Sequence, residues 1–358
     1  NSATFPKMLQ QSGYKTAVIG KWGLGYPNSI GDPRKQGFDY HFGYYDHFEA
    51  HSFFPLNLYR NGNKVEYPTN NTFNLEVLYD KERAPKSFDY EGMYDANGKL
   101  KYINENKGVY AVDEFDREAL DYISANKKNP FFLFYTTNLP HGPQIVDDLR
   151  DLKDRKDMDL RSREWGAMVK RLDISVGKLI QKLKDEGVYE NTMILFASDN
   201  GYAMHNPSKN PNGLQIWEDD KWLSNKGPFN GGKFTVREAG MRIPLFIRMP
   251  NQSQAKTVSQ PVWLIDLFPT FADFIKVPSP KNTDGFSLMP LLNGKISSIP
   301  QDRPFYFYKN NEQSVRMGAW FGYREHPEKP LQLFLLEEDQ TCEKDLTGFY
   351  PEVVKKIT

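Results

Sequence analysis

Apolar and polar positions fall into short blocks along this chain, and the blocks predict helices and strands in turn. Thr4 stands where it can cap a short helix over Phe5–Gln11, and Gly13 is placed to end it. Lys15–Gly20 (KTAVIG) reads as a buried strand. Leu58–Tyr59–Arg60 and Lys64–Val65–Glu66 flank Asn61–Gly62, a strong hairpin turn signal. The stretch from Pro68 to Gly108 is polar and rich in Asn, Lys and Tyr, and is expected to be a surface excursion. Val112–Asn126 has helical spacing, with Phe115, Leu120 and Ile123 available for burial. The continuous apolar run Phe131–Tyr135 (FFLFY) suits a central strand covered on both faces.

The clearest helix runs from Arg161 to Glu186, where Trp165, Met168, Leu172, Val176, Leu179 and Leu183 form one apolar stripe and Gly187 is the stop. Thr192–Ala197 and Ile243–Arg248 read as further buried strands, and Trp263–Ile275 as another helix. Strands alternating with helices predict a layered α/β domain with a mostly parallel central sheet. After Arg303 the rhythm shifts to short strands, Phe305–Tyr308 and Leu331–Leu335, with a last helix from Pro351. That predicts a main domain over 1–302 and a small C-terminal α+β subdomain over 303–358.

Composition narrows the function. A length of 358 residues suffices for one large domain and an appendage. Forty-six basic residues balance forty-six acidic ones, so the chain lacks the cationic excess of a nucleic-acid or polybasic membrane binder. No apolar run approaches the ~20 residues that span a bilayer. The single cysteine, Cys342, rules out an intramolecular disulfide and a cysteine-built zinc site. The first residue is Asn1 rather than methionine, and the expectation is that sequence lies upstream of it.

Ligand sites in such sheets lie at the carboxyl ends of strands. Polar clusters come after the expected strands at Gly20–Lys21–Trp22–Gly23, Pro140–His141–Gly142–Pro143 and Ser198–Asp199–Asn200–Gly201, and a fourth is Gly231–Gly232–Lys233. Each has a plain reading alone. Asp199–Asn200–Gly201 can be a strand-ending turn, His141 a residue in a rigid proline turn, and Lys21 and Lys233 solvated lysines. Together, two lysines, a histidine and an Asp–Asn pair suit a tetrahedral oxyanion ester. The lysines would hold the anion, the histidine would move a proton, and the Asp and Asn oxygens would bind a hard divalent cation.

At these residues the chain resembles the type I, formylglycine-dependent sulfatases. The likeness runs through Gly13–Tyr14–Lys15–Thr16, Gly20–Lys21–Trp22–Gly23–Leu24–Gly25, Gln36–Gly37–Phe38–Asp39, Pro140–His141 and Ser198–Asp199–Asn200–Gly201. It continues through Gly231–Gly232–Lys233 with Glu238, Arg242–Ile243–Pro244, Asp266–Leu267–Phe268–Pro269–Thr270 and Asp284–Gly285–Phe286–Ser287. The resemblance implies an alkaline-phosphatase-like fold, hydrolysis of a sulfated sugar or glycan, and a periplasmic or secreted location. It also implies roles: Lys21 and Lys233 on the sulfate, His141 as proton donor alone or sharing that role with Lys233, and Asp199 and Asn200 on one calcium ion.

Two departures matter. The family's formylglycine motif and its Asp-Asp pair lie upstream of the first helix and are absent here, so this chain alone is expected to be inactive. The family also places a central strand in that segment, so a gap is expected beside Lys15–Gly20. Gly23 stands where many sulfatases have a histidine. Ala50–His51–Ser52–Phe53–Phe54–Pro55 resembles a segment of some glycan sulfatases, so His51 either contacts substrate, fills that vacant place or packs among Phe53 and Phe54. Trp217 and Trp222 are candidates for stacking on sugar rings. The alternatives are a phosphomonoesterase or phosphonate hydrolase of the same superfamily, and a sulfated-glycan binding protein without catalysis.

Overall fold

The computed structural model describes residues 3–72, 94–142, 144–203, 206–209, 215–218, 227–295, 299–300 and 302–358. The chain forms two compact units, Asn1–Glu190 and Asn191–Thr358. In the first, helix α1 (Phe5–Gln11) is capped by Thr4 and leads into strand β1 (Lys15–Lys21). Next come β2 (Tyr40–Tyr44), β3 (Asn57–Arg60) and β4 (Asn63–Glu66), the last two joined by the Asn61–Gly62 turn. Helices α2 (Lys101–Asn106) and α3 (Ala111–Asn126), strand β5 (Phe131–Thr136) and the long helix α4 (Leu160–Asp185) complete the unit.

The sheet order is β4-β3-β2-β1-β5, with β1 parallel to β2 and β5 and the β3–β4 hairpin antiparallel at one edge. Side chains alternate across it. Ala17 and Ile19 of β1 join Phe115 and Ala119 of α3 on one face. On the other, Phe5 of α1 meets Phe132 edge-on at 5.7 Å, and Phe38 stacks on Phe132 and Phe134. Asp39 ties the start of β1 down, its carboxylate accepting from the Thr16 amide at 3.0 Å while the Thr16 hydroxyl donates to the Gly37 carbonyl at 2.8 Å. The Gln36–Asp39 motif is therefore a structural clamp.

The expected gap beside β1 is not there, because β1 is hydrogen-bonded on both sides along its length. Nor is β5 a central strand covered on both faces. It pairs only with β1 among the described residues, and Phe134 stays 39% exposed. The polar stretch 68–108 also differs from expectation. Residues 73–93 lie outside the described residues, but Tyr94, Leu100 and Tyr102 are buried in the core beneath α4.

The α4 stripe packs as its spacing predicts, yet one of the buried side chains that α4 offers the α3 face is a cation. Arg171 is 2% exposed and pairs with Asp113 at 2.6 Å and Asp116 at 3.0 Å. Asp116 also accepts from Lys178 at 2.8 Å and from the Tyr135 hydroxyl at 2.7 Å. Burial acts to raise the Asp116 pKa, but Arg171, Lys178 and Tyr135 outweigh it and hold the carboxyl below its usual range. The network joins α3, α4 and β5, and its buried members are Arg171 and Asp116, so losing either of these two would strand the other at a cost of roughly 3–5 kcal/mol.

The second unit holds β6 (Ile194–Ala197), β7 (Asn206–Lys209), β8 (Gln215–Glu218), the short helix α5 (Glu238–Met241) and β9 (Leu245–Arg248). β6 and β9 pair with each other antiparallel and are half-buried, with Phe246 67% exposed, rather than being buried parallel strands. The helix expected over Trp263–Ile275 is a 3₁₀ turn, Leu264–Asp266, running into α6 (Leu267–Phe274). The buried Asp266 accepts from the Trp263 and Phe286 amides, each at 2.8 Å, and from Arg303 at 2.7 Å. A short helix α7 (Met289–Leu292) precedes the antiparallel sheet of β10 (Pro304–Lys309), β11 (Glu312–Met317), β12 (Trp320–Arg324) and β13 (Gln332–Leu335). Helix α8 (Pro351–Ile357) ends the chain. No described helix is long and apolar enough to cross a membrane.

One buried base sets an acid limit on stability. His41 on β2 is fully buried against the Tyr45 ring, 4.5 Å away, and among the described residues neither ring nitrogen makes a well-formed hydrogen bond. Burial pushes its pKa from 6.5 down to about 4, with Asp32 opposing and Arg34 adding to the fall. The unfolded chain therefore takes up this proton below about pH 6.5 while the folded chain does not, so stability drops as pH falls from there toward 4. From about pH 7.5 to about pH 5, urea unfolding should show wild type losing about 2 kcal/mol more than His41→Phe. Parallel losses in the two proteins would show that His41 does not set this limit.

Candidate active site

The first unit gathers one half of the predicted constellation at the carboxyl ends of β1, β2 and β5. Lys21 is the last residue of β1, in register with Tyr44 of β2, and Gly20 is in register with Thr136 at the end of β5. At Gly20 the three strands run unusually close. A Cβ there would lie 2.1 Å from the Thr136 carbonyl oxygen, and φ is +121°, so only glycine fits. Beyond Lys21 the chain stays tied to β2, the Trp22 amide donating to the Tyr44 carbonyl at 3.1 Å and Gly23 to Tyr45 at 2.9 Å.

His141 lies five residues past β5, after a cis peptide at Leu139–Pro140. Its Nδ1 is 2.7 Å from the Gly142 carbonyl oxygen. A carbonyl can only accept, so Nδ1 carries a proton, and Nε2 is the nitrogen that gains or loses one. Asn138 donates from Nδ2 to the Ala50 carbonyl at 2.9 Å, which ties this loop to the 3₁₀ turn Glu49–His51. Across that tie His51 stacks face to face on His141, centroids 4.4 Å apart and planes 9° apart. Phe53 and Phe54 belong to the core with Tyr110, so His51 packs on the candidate acid rather than among those phenylalanines. Lys21, His51 and His141 thus share one end of one sheet.

The second unit gathers the other half. Asp199 is exposed and Asn200 half-buried just past β6. The Asn200 Nδ2 donates to the Gly201 carbonyl at 2.9 Å, which turns the oxygen end of the amide away from that bond. The loop is stitched to α5, with Gly201 and Tyr202 amides donating to the Gly240 and Ala239 carbonyls at 3.0 Å each. A Cβ at Gly201 would sit 2.1 Å from the Ala239 oxygen, so a side chain there would push the two strands of chain apart. The Lys233 amide donates to the Tyr202 carbonyl at 2.6 Å, which ties the Lys233 loop to the segment that follows Asp199 and Asn200. Its Nζ lies 5.4 Å from the Phe234 ring centroid.

The Lys233 loop is held by the C-terminal antiparallel sheet, a support that short motifs do not announce. The Ser314 hydroxyl of β11 donates to the Val236 carbonyl at 2.5 Å, and Lys309 of β10 donates to the Phe234 carbonyl. Arg316 pairs with the buried Glu238 at 3.3 Å, and the Arg237 guanidinium lies 3.9 Å over the Tyr323 ring. Glu238 and Arg242, seen in sequence only as motif letters, pair with each other at 2.9 Å. Of the two candidate stacking tryptophans, Trp222 lies outside the described residues, and for Trp217 only the backbone, in β8, is described.

Asp199 and the Asn200 amide oxygen are hard donors of the kind calcium takes. No group of three or more His, Cys, Asp or Glu poised for a metal occurs among the described residues. These two oxygens therefore fit as part of a shell of about six to eight.

Residues 1–277 match the family model described as Sulfatase, and residues 229–341 match the one described as N-sulphoglucosamine sulphohydrolase, C-terminal. The chain is 30% identical over 323 residues to N-acetylgalactosamine-6-sulfatase of Rattus norvegicus, covering 88% of this chain and 52% of that protein. It therefore spans about half the length of that relative. It is 25% identical to N-acetylgalactosamine-6-O-sulfatase of Bacteroides thetaiotaomicron, covering 99% of this chain and 75% of that protein. The crystal structure of Ps i-CgsB in complex with k-i-k-neocarrahexaose superposes with a TM-score of 0.74 at 24% identity, over 100% of this chain and 74% of that one. At that identity the likeness is one of fold, and the fold is the alkaline-phosphatase-like arrangement that the sequence predicts.

The Gly201 contact gives a direct test of how the second cluster is built. Gly201→Ala should lower the free energy of urea unfolding by roughly 1–3 kcal/mol, because the obstructing atom is backbone. Gly142→Ala, whose added Cβ would have nothing nearer than the Gln144 amide nitrogen at 3.5 Å, should change it little. Equal effects of the two substitutions would contradict the packing described.

Proposed function

This chain belongs to the sulfatase family, as the match over residues 1–277 shows, and we propose that it contributes most of a site that hydrolyses a sulfate ester on a sulfated carbohydrate. The observation that carries this reading is the second cluster. There the bond from the Lys233 amide to the Tyr202 carbonyl ties the loop that bears the lysine to the chain just past the two hard oxygen donors. Such a pairing suits an anionic ester and its counter-cation. The names of the relatives support a sulfated N-acetylhexosamine as the first substrate to try. A periplasmic or secreted location goes with that class of substrate.

In this reading Lys21 and Lys233 are each a point charge for sulfate oxygens. They act most strongly as negative charge shifts toward the leaving oxygen. Asp199 and Asn200 would hold a calcium ion. His141, its tautomer set by the Gly142 carbonyl, donates the Nε2 proton to the departing sugar alcohol. His51 covers one face of that imidazole and keeps its plane fixed. When bound, calcium supplies Lewis-acid polarisation, and a formylglycine from outside these 358 residues supplies the attacking oxygen.

In the native full-length protein, Lys233→Ala should lower kcat for 4-nitrophenyl sulfate roughly 10²–10³-fold. Unfolding stability should change by less than about 1 kcal/mol, since the side chain fills no core space. Faster wild-type hydrolysis of 4-nitrophenyl phosphate than of the sulfate would overturn the sulfatase reading. Residues 1–358 alone should release no sulfate, whereas the full-length, formylglycine-bearing protein should. Turnover by residues 1–358 alone would place the nucleophile within this chain.

A further inference from the structure

A row of aromatic rings leads from the candidate acid to the surface of the first unit. His141 stacks on His51 at 4.4 Å, His51 meets Phe48 edge-on at 5.8 Å, and Phe48 contacts His47 at 4.3 Å. Despite these neighbours Phe48 remains 70% exposed. One exposed phenylalanine would mean little. Here Leu24, Tyr26 and Ile30, all in the loop after β1, are also exposed, at 73%, 59% and 89%. The two loops are joined by the Gly23–Tyr45 backbone bond and by the Tyr26 hydroxyl, which donates to Asp46 at 2.6 Å. An apolar patch of this kind, set beside a polar site, marks a binding surface.

The turn that carries Phe48 is built rather than loose. Asp46 accepts from the Phe48 amide at 2.6 Å, and Ala50, two residues on, is buried. Phe53 and Phe54 anchor the next stretch of chain in the core. The exposed ring is thus held on a fixed base. Its surroundings pair an aromatic face with a hydroxyl and a carboxylate, Tyr26 and Asp46, a combination that matches a sugar ring's C–H face and its hydroxyl groups.

We propose that Phe48, with Tyr26 and Asp46 beside it, is a subsite for the sugar unit next to the sulfated one. This rests on the sulfated-carbohydrate reading above. Phe48 lies two ring-to-ring steps from His141, too far to touch the reacting ester but continuous with it. It therefore reads chain length rather than the sulfate itself.

The test is steady-state kinetics of the native full-length protein on N-acetylgalactosamine 6-sulfate and on a tetrasaccharide ending in that sugar. Phe48→Ala should raise KM for the tetrasaccharide about tenfold, against twofold or less for the monosaccharide. Phe48→Trp should restore the tetrasaccharide value. Equal changes for both sugars, no change for either, or failure of Phe48→Trp to restore would overturn the subsite while leaving the sulfatase reading intact. If wild type releases sulfate from neither sugar, the substrate reading fails and the subsite with it. If Phe48→Ala leaves both KM values unchanged but abolishes a dimer seen by ultracentrifugation, the patch is a self-association face instead.

Discussion

The close backbone approach at Gly20 is the constraint on which the first half of the site depends. With no side chain at Gly20, β1 can lie against the Thr136 carbonyl of β5 while it pairs with β2 through Gly43. Three parallel strands consequently end together. Lys21 comes directly from one end, the tether from Asn138 to Ala50 spans the other two, and the His51–His141 stack forms across it. A larger residue at position 20 would separate the strands whose ends carry these groups.

The second half rests on a different device. Lys233 sits in a loop with little structure of its own, and the C-terminal antiparallel sheet gives it shape through Ser314, Arg316 and the Tyr323 ring. The buried Asp266–Arg303 pair plays a comparable part nearby, joining α6 to the segment that enters β10. The Arg303 guanidinium also donates to the Asp284 carbonyl at 2.8 Å and lies 4.6 Å over Phe286. Motifs that look like chemistry in the sequence are here brackets for chemistry carried by their neighbours.

Much of this was legible in the sequence because it is written in local rules. The Thr4 cap, the Asn61–Gly62 hairpin, the α4 stripe and the helix from Pro351 all depend on residues a few positions apart. So does the placing of Lys21, His141 and Asp199 after strands. The features that sequence reasoning missed depend on partners far along the chain. FFLFY looks the same whether its strand is central or at an edge, and only pairing decides that. Arg171 reads as one arginine on a polar flank, and its burial stems from aspartates on α3 and beyond. The His51 stack needed the fold to bring positions ninety apart together. Exposed aromatics could have flagged Phe48, since His47–Phe48 stands just before the Ala50–Pro55 segment, but exposure itself is not visible in sequence.

The central claim is that Lys233 serves a sulfate ester, and a crystal structure of the native full-length protein with a bound sulfated N-acetylhexosamine tests it most directly. The account predicts the sulfate group with Lys233 Nζ within hydrogen-bonding distance of one of its oxygens. A bound sulfate held by other residues, with Lys233 Nζ out of reach of its oxygens, would contradict it.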